Sequence, residues 1–188
     1  MRLNQCFSRH DIGRDGANSA TRFRIQCFNS NSIGKNPKRC KVFHHLKKKN
    51  PDIIIACYTR ICKSIENVVR EEWGGQCIFN SFSSQARGIA IFIKKNNPAK
   101  ILDKFCDQDG NILAILMLYN DKKILLEGIY GPNDDSPSFY SEKTFTKIVN
   151  WFFQNNTQLL RGRSKIAKQY FIGLLCFSGH YEHIIIFL

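Results

Sequence analysis

Acid is scarce in this sequence beside base. Fifteen Asp and Glu stand against twenty-eight Lys and Arg, a formal net charge of +13 over 188 residues. Such a balance suits a polyanionic partner and diffusional steering toward it, although an inert basic surface would look the same. Long apolar runs are also missing. The stretch Ile184 to Leu188 is among the longest, far below the roughly 20 residues that span a bilayer, so no membrane partner is expected. The start, MRLNQCFSRHDIGRDG, carries no continuous apolar segment of the kind a secretory leader needs. The expectation is an intracellular protein, nuclear or cytoplasmic. Cysteine is present but not arranged. Cys6, Cys27, Cys40, Cys57, Cys62, Cys77, Cys106 and Cys176 include no C-x-x-C pair and no His spacing for zinc, which argues against a disulfide framework or a zinc knuckle. They read as reduced thiols, several of them small hydrophobes inside apolar runs. There are no internal repeats.

What is present is an ordinary globular composition, 43% hydrophobic and 23% charged. Residues 1–21 are polar and without period, and read as a poorly ordered lead-in. Phe23, Ile25 and Cys27 then alternate with Arg22, Arg24 and Gln26, the period of a strand, ending in the turn-forming Asn29-Ser30-Asn31-Ser32. Asn36-Pro37 opens a helix with Val42, Phe43 and Leu46 on one face, and Asn50-Pro51 closes it. Ile53 to Cys57 is a short apolar run that predicts a strand buried on both faces, and a second helix is expected over Ile61 to Glu72.

From Gly75 the pattern turns to strands. Cys77–Phe82, Gly88–Lys94, Ile101–Phe105, Ile112–Leu118 and Ile124–Tyr130 are divided by turn signals, among them Asp109-Gly110-Asn111, a strong hairpin marker. A loop follows from Tyr130 to Pro137, then an amphipathic helix over Ser138–Phe153. Past Asn155 the pattern fades, with further strands expected at Tyr170–Phe177 and Ile184–Leu188. The predicted organisation is a lead-in (1–21), a domain (22–154) and a divergent tail (155–188), in an α/β layered class.

Four segments carry a resemblance. Asn29-x-Asn31 ends the first strand, and Pro51-Asp52 leads the second into Tyr58-Thr59-Arg60. Arg87-Gly88-Ile89-Ala90-Ile91 opens a later strand, and Tyr130-Gly131-Pro132-Asn133 follows the last regular one. In this order they resemble the endonuclease/exonuclease/phosphatase superfamily. The phrases VFHHLKKKNPDIII, EEWGGQCIFNSFSS, RGIAIFIKK and IYGPNDDSPSFYSEK look like the apurinic-endonuclease-like domains of non-LTR (LINE-type) retrotransposons. The likeness covers about Phe23 to Trp151. It implies a four-layer α/β sandwich, two facing mixed sheets flanked by helices, here incomplete at the C-terminus. It implies Mg²⁺-assisted hydrolysis of DNA phosphodiesters, in which the metal polarises the phosphate and a carboxylate activates water, and no small-molecule cofactor.

Carried over by position, Asn29 matches the strand-end Asn that helps place the metal, and Asn31 the second polar position of that turn. Tyr130 and Asn133 match the residues that bind around the scissile phosphate. Three departures follow from the same resemblance. Tyr58 stands where the family has a metal-binding Glu, and a neutral phenol is a poor ligand for a hard cation. No Gly-Asp-Phe-Asn motif, whose Asp prepares the water, follows the last helix. The closing Ser-Asp-His survives only as Ser178-Gly179-His180, leaving His180 as a faint catalytic candidate.

The sequence therefore predicts a degenerate, inactive copy of a DNA-nicking domain. Two alternatives stay open: an active nuclease with ligands substituted from Glu127 or Asp134, and a non-catalytic binding module. Lys35, Lys38, Arg39 and Lys41, with Lys47, Lys48 and Lys49, form an acid-free basic helix. It suits weak, backbone-directed DNA contact, or is simply a solvated face.

Overall fold

Where Ile25 and Cys27 alternate with Arg24 and Gln26, the chain does run extended, and the rest of the first unit is built around that strand. The computed structural model describes residues 10–11, 24–120, 122–131, 146–148, 150–151, 170–176 and 182–187 of the 188. The chain divides into two units, Met1–Asn97 and Pro98–Leu188.

The first unit contains β1 (His10–Asp11), β2 (Arg24–Asn29), α1 (Asn36–Lys49), β3 (Ile53–Cys57), α2 (Glu66–Trp73), β4 (Gln76–Asn80) and β5 (Ile89–Ile93). A single 3-10 turn, Lys63–Ile65, precedes α2, so the helix expected from Ile61 begins later than its apolar spacing suggests. Pro37 sits in the first turn of α1, where its missing N–H costs nothing. Asn50 closes α1 in the left-handed region, its N–H reaching the carbonyls of Leu46 and Lys47 at 3.1 Å each. Lys47, Lys48 and Lys49 occupy the last turn, where cations complement the exposed carbonyls.

The five strands order as β1-β2-β3-β5-β4. β2 and β3 are parallel, as a connection through a helix requires, and the other pairs are antiparallel. Register puts Phe28, Ile54, Ala56, Phe92, Ala90, Cys77 and Phe79 on one face of this sheet. Val42, Phe43 and Leu46 of α1 and Val69 and Trp73 of α2 cover it. Phe43, Trp73 and Phe92 meet with ring centroids 5.2 to 5.4 Å apart, and Trp73 Nε1 donates to the Ile93 carbonyl at 2.9 Å. Every residue of β3 and β5 is buried, as the unbroken apolar run of β3 predicts.

The second unit holds β6 (Lys100–Cys106), β7 (Ile112–Tyr119), β8 (Lys122–Tyr130), β9 (Tyr170–Cys176) and β10 (Glu182–Phe187), in the order β10-β9-β8-β7-β6. Only β8 and β9 run parallel. The β6–β7 hairpin turns at the expected place. Asp107 Oδ1 accepts from the N–H groups of Asn111 (2.9 Å) and Ile112 (2.8 Å), and Gly110 takes φ 68°. Residues 146–148 and 150–151 are helical, and Ile148 and Trp151 lie against Ile112, Ala114, Leu125, Ile129 and Phe105. Two five-stranded sheets with few helices make an α/β fold, the class the sequence predicts. The strands expected near residues 170 and 184 belong to the second sheet as β9 and β10. Among the described residues no helix is long and apolar enough to cross a membrane.

Candidate strand-end site

The C-terminal ends of β2 and β3 and the entry to β5 are laced together by backbone hydrogen bonds. The Ser30, Ser32 and Ile33 N–H groups donate to the carbonyls of Cys57, Tyr58 and Thr59, each at 2.9 Å. On the other side, the Thr59 and Arg60 N–H groups donate to the carbonyls of Gly88 and Arg87, again at 2.9 Å. Ser30, fully buried, adds its hydroxyl to the Cys57 and Tyr58 carbonyls at 2.9 and 3.0 Å. This lacing takes five non-glycine residues into the left-handed region: Asn31, Ser32, Tyr58, Arg60 and Arg87. Such a concentration stores strain that the surrounding bonds must hold, which is common where side chains are aimed rather than merely packed. Gly88, at φ 90°, passes so close to Thr59 that an added Cβ would sit 2.8 Å from its hydroxyl.

Several side chains predicted from sequence converge here. Asn29 ends β2, and its Oδ1 accepts the Asn31 N–H at 3.0 Å, an Asx turn. Tyr58 follows β3, half-buried, with the Arg60 guanidinium carbon 4.6 Å from its ring centroid and Arg60 Nη2 donating to its hydroxyl. Lys38, in the first turns of α1, donates through Nζ to the Asn31 carbonyl. Burial, and then the positive charge of Arg60, hold the Lys38 ammonium below its ordinary pKa. Arg60, which the sequence shows only as the third residue of Tyr58-Thr59-Arg60, is thus the central cation of the cluster.

Arg39 departs from the expected basic face. Its side chain is 3% exposed, and Nε and Nη2 fork onto Glu72 of α2 at 2.6 and 2.9 Å. Nη1 meets the carbonyls of Ile33 and Gly34 at 3.2 and 2.7 Å. The residue ties α1 to α2 and to the strand-end loop, and leaves no donor fork for a phosphate. Lys35 and Lys41 are exposed as expected. Lys47 lies over Trp73 and donates to the Glu72 carbonyl at 2.9 Å. Asp52, at the opposite end of β3, accepts the Arg24 N–H at 2.7 Å and serves the sheet.

Tyr130 ends β8 in the second unit, its N–H donating to the Asn111 carbonyl at 2.8 Å. Asn133, Asp134 and His180 lie outside the described residues. Glu127, considered as a substitute ligand, is 5% exposed and points to the same face of β8 as Leu125 and Ile129. Burial pushes its carboxyl up to about 7, which disfavours the anionic form a cation would bind. Among the described residues no three His, Cys, Asp or Glu side chains gather in a metal-binding group.

Neither a protein-family model nor a curated protein matches the sequence. Solved structures do match in fold. The human Nocturnin catalytic domain with bound sulfate anion aligns with TM-score 0.56 at 10% identity, over 80% of this chain and 62% of that one. The 3' phosphatase NExo from Neisseria, bound to product DNA hairpin, aligns with TM-score 0.50 at 18% identity, over 80% and 56%. TDP2 from C. elegans aligns with TM-score 0.51 at 12% identity, over 79% and 46%. These neighbours belong to the endonuclease/exonuclease/phosphatase superfamily, and the likeness is one of fold. The chain spans about half the length of the structures it matches.

Proposed function

We propose that the chain is a retrotransposon-derived, endonuclease-like domain that has lost phosphodiester cleavage and retains weak, backbone-directed contact with DNA. The observation that carries this reading is Tyr58. At the strand end where the resemblance calls for a metal-binding carboxylate, the chain offers a phenol engaged by Arg60. Magnesium wants hard, mostly anionic oxygens in near-octahedral array. The described cluster offers two Asn amides, that of Asn29 already accepting a backbone N–H, one phenol and two cations. Those residues do not fit the ion. The missing Gly-Asp-Phe-Asn motif removes the water-activating acid as well, and general-base catalysis alone is worth ~10²–10⁴ in rate.

DNA contact is supported by the net charge of +13, by exposed Lys35 and Lys41 with Lys38 beside them, and by the fold shared with a DNA-bound phosphatase. The finer architecture, two facing sheets flanked by helices, belongs to the same proposal, and the fold likeness over 80% of the chain supports it. The test is a supercoiled-plasmid nicking assay in Mg²⁺. The expected result is no nicking above buffer. Nicking that Tyr130→Ala abolishes would overturn the reading in favour of an active nuclease with substituted ligands.

A further inference from the structure

Among the described residues, two cations meet at the ends of β2 and β3 without an ion-pair partner for either. Lys38 Nζ has the Asn31 carbonyl as its hydrogen-bond partner, and Arg60 has the Tyr58 hydroxyl and ring. Among the described residues neither forms an ion pair. Glu72, whose partner Arg39 also reaches the strand-end loop, is already forked by that guanidinium. Arg60 Nε is moreover buried with no hydrogen-bond acceptor. A buried, unsatisfied guanidinium N–H is costly and rare, and like charges brought together raise that cost.

The backbone leaves Arg60 little freedom to escape. Its N–H is tied to Arg87, its φ is 52°, and its carbonyl lies where a Cβ on Gly34 would come within 2.5 Å. An oxyanion bound here would neutralise both cations and satisfy Nε together. Planar guanidinium forks suit tetrahedral oxyanions because two N–H groups reach two oxygens at once.

We propose that this strand-end cluster is a metal-independent oxyanion site, in which Lys38 and Arg60 take a phosphate group. The assignment rests on the reading of this region as a former metal site, and goes beyond it by naming what replaces the cation. The phosphate could be a free oxyanion or one link of a nucleic-acid backbone, and the chemistry of recognition is the same.

The experiment uses the full ¹⁵N-labelled chain in EDTA. The Arg60 Nε–Hε resonance is followed while inorganic phosphate, and in a second arm a short DNA duplex, is titrated. A saturable shift of that resonance is expected. Arg60→Gln and Lys38→Gln should each weaken binding about tenfold or more, the scale of a lost charge-assisted hydrogen bond. Arg60→Lys, which keeps the charge and loses the fork, should fall between. Tyr58→Glu, which sets a carboxylate against the guanidinium, should weaken it too. Lys95→Gln, exposed just past the far end of β5, should change affinity by no more than about twofold.

Saturation by phosphate alone supports the site and names a free oxyanion; saturation only by duplex supports it and names the backbone. The proposal fails if neither ligand moves the Arg60 resonance, if Mg²⁺ is required, or if Lys95→Gln costs as much as Arg60→Gln. Nicking in Mg²⁺ would sink the functional reading while leaving the EDTA titration to decide this one.

Discussion

Replacing Glu72 by Ala removes the acid that holds α1 to α2. The carboxylate takes both arms of the Arg39 fork at 2.6 and 2.9 Å, and Asn36 Nδ2 approaches it at 3.4 Å. Removing one partner of a buried ion pair costs ~3–5 kcal/mol, because the other charge stays behind unpaired. Here Arg39 is 3% exposed but Glu72 is 21%, so water already screens one side of the pair. Nη1 also keeps its carbonyl bonds to Ile33 and Gly34. The expected loss is therefore about 2–3 kcal/mol. At about 2–4 °C per kcal/mol for a chain of this size, Tm should fall by about 4–12 °C.

The effect depends on pH in a defined direction. The hydrogen bonds from Arg39 hold the Glu72 carboxyl below its ordinary 4.5. Its contribution is complete above that value and is lost as pH falls through the lowered one. Urea or thermal melts of wild type and Glu72→Ala at pH 7 and at acid pH measure both effects, with exposed Glu71→Ala as control. A Glu72→Ala loss no larger than that of Glu71→Ala, or a deficit that does not shrink on acidification, would refute the argument.

Glu127 predicts the opposite pH dependence. Its carboxyl is raised from 4.5 to about 7 by burial, so the fold favours the protonated form and pays on the order of 3 kcal/mol once pH rises past that value. Glu127→Gln should thus stabilise the chain above pH 7 and give little at pH 4, in urea melts at both. Gly88→Ala forces a Cβ at φ 90° to 2.8 Å from the Thr59 hydroxyl, and should cost about 1–3 kcal/mol in the same melts while disturbing the Thr59 and Arg60 amide resonances. Phe92→Ala, at the centre of the aromatic cluster, should cost about 3–5 kcal/mol.

Much of the fold is readable where local pattern and tertiary role agree. The unbroken run Ile53 to Cys57 can only be buried on both faces, and Asp107 to Gly110 can only turn. The site is less readable, because its decisive facts are long-range pairings. Arg39 looks like one more cation in a basic run. Yet it lies three and four residues before Val42 and Phe43, on the apolar face of α1, and that spacing was a signal that it points inward. Its partner, thirty-three residues away, leaves no trace in the pattern. Glu127 gives a similar clue, sharing the parity of Leu125 and Ile129 along β8. Arg60 gives none, since its position depends on left-handed backbone at a non-glycine residue. The parallel pairing of β8 with β9 joins segments about forty residues apart, and no local signal selects it.

Manganese relaxation tests most directly whether the ends of β2 and β3 still hold a divalent cation. In ¹⁵N spectra of the full chain, Mn²⁺ should broaden no resonance selectively at Asn29, Asn31 or Tyr58. Selective broadening of those three, reversed by Mg²⁺, would contradict the account.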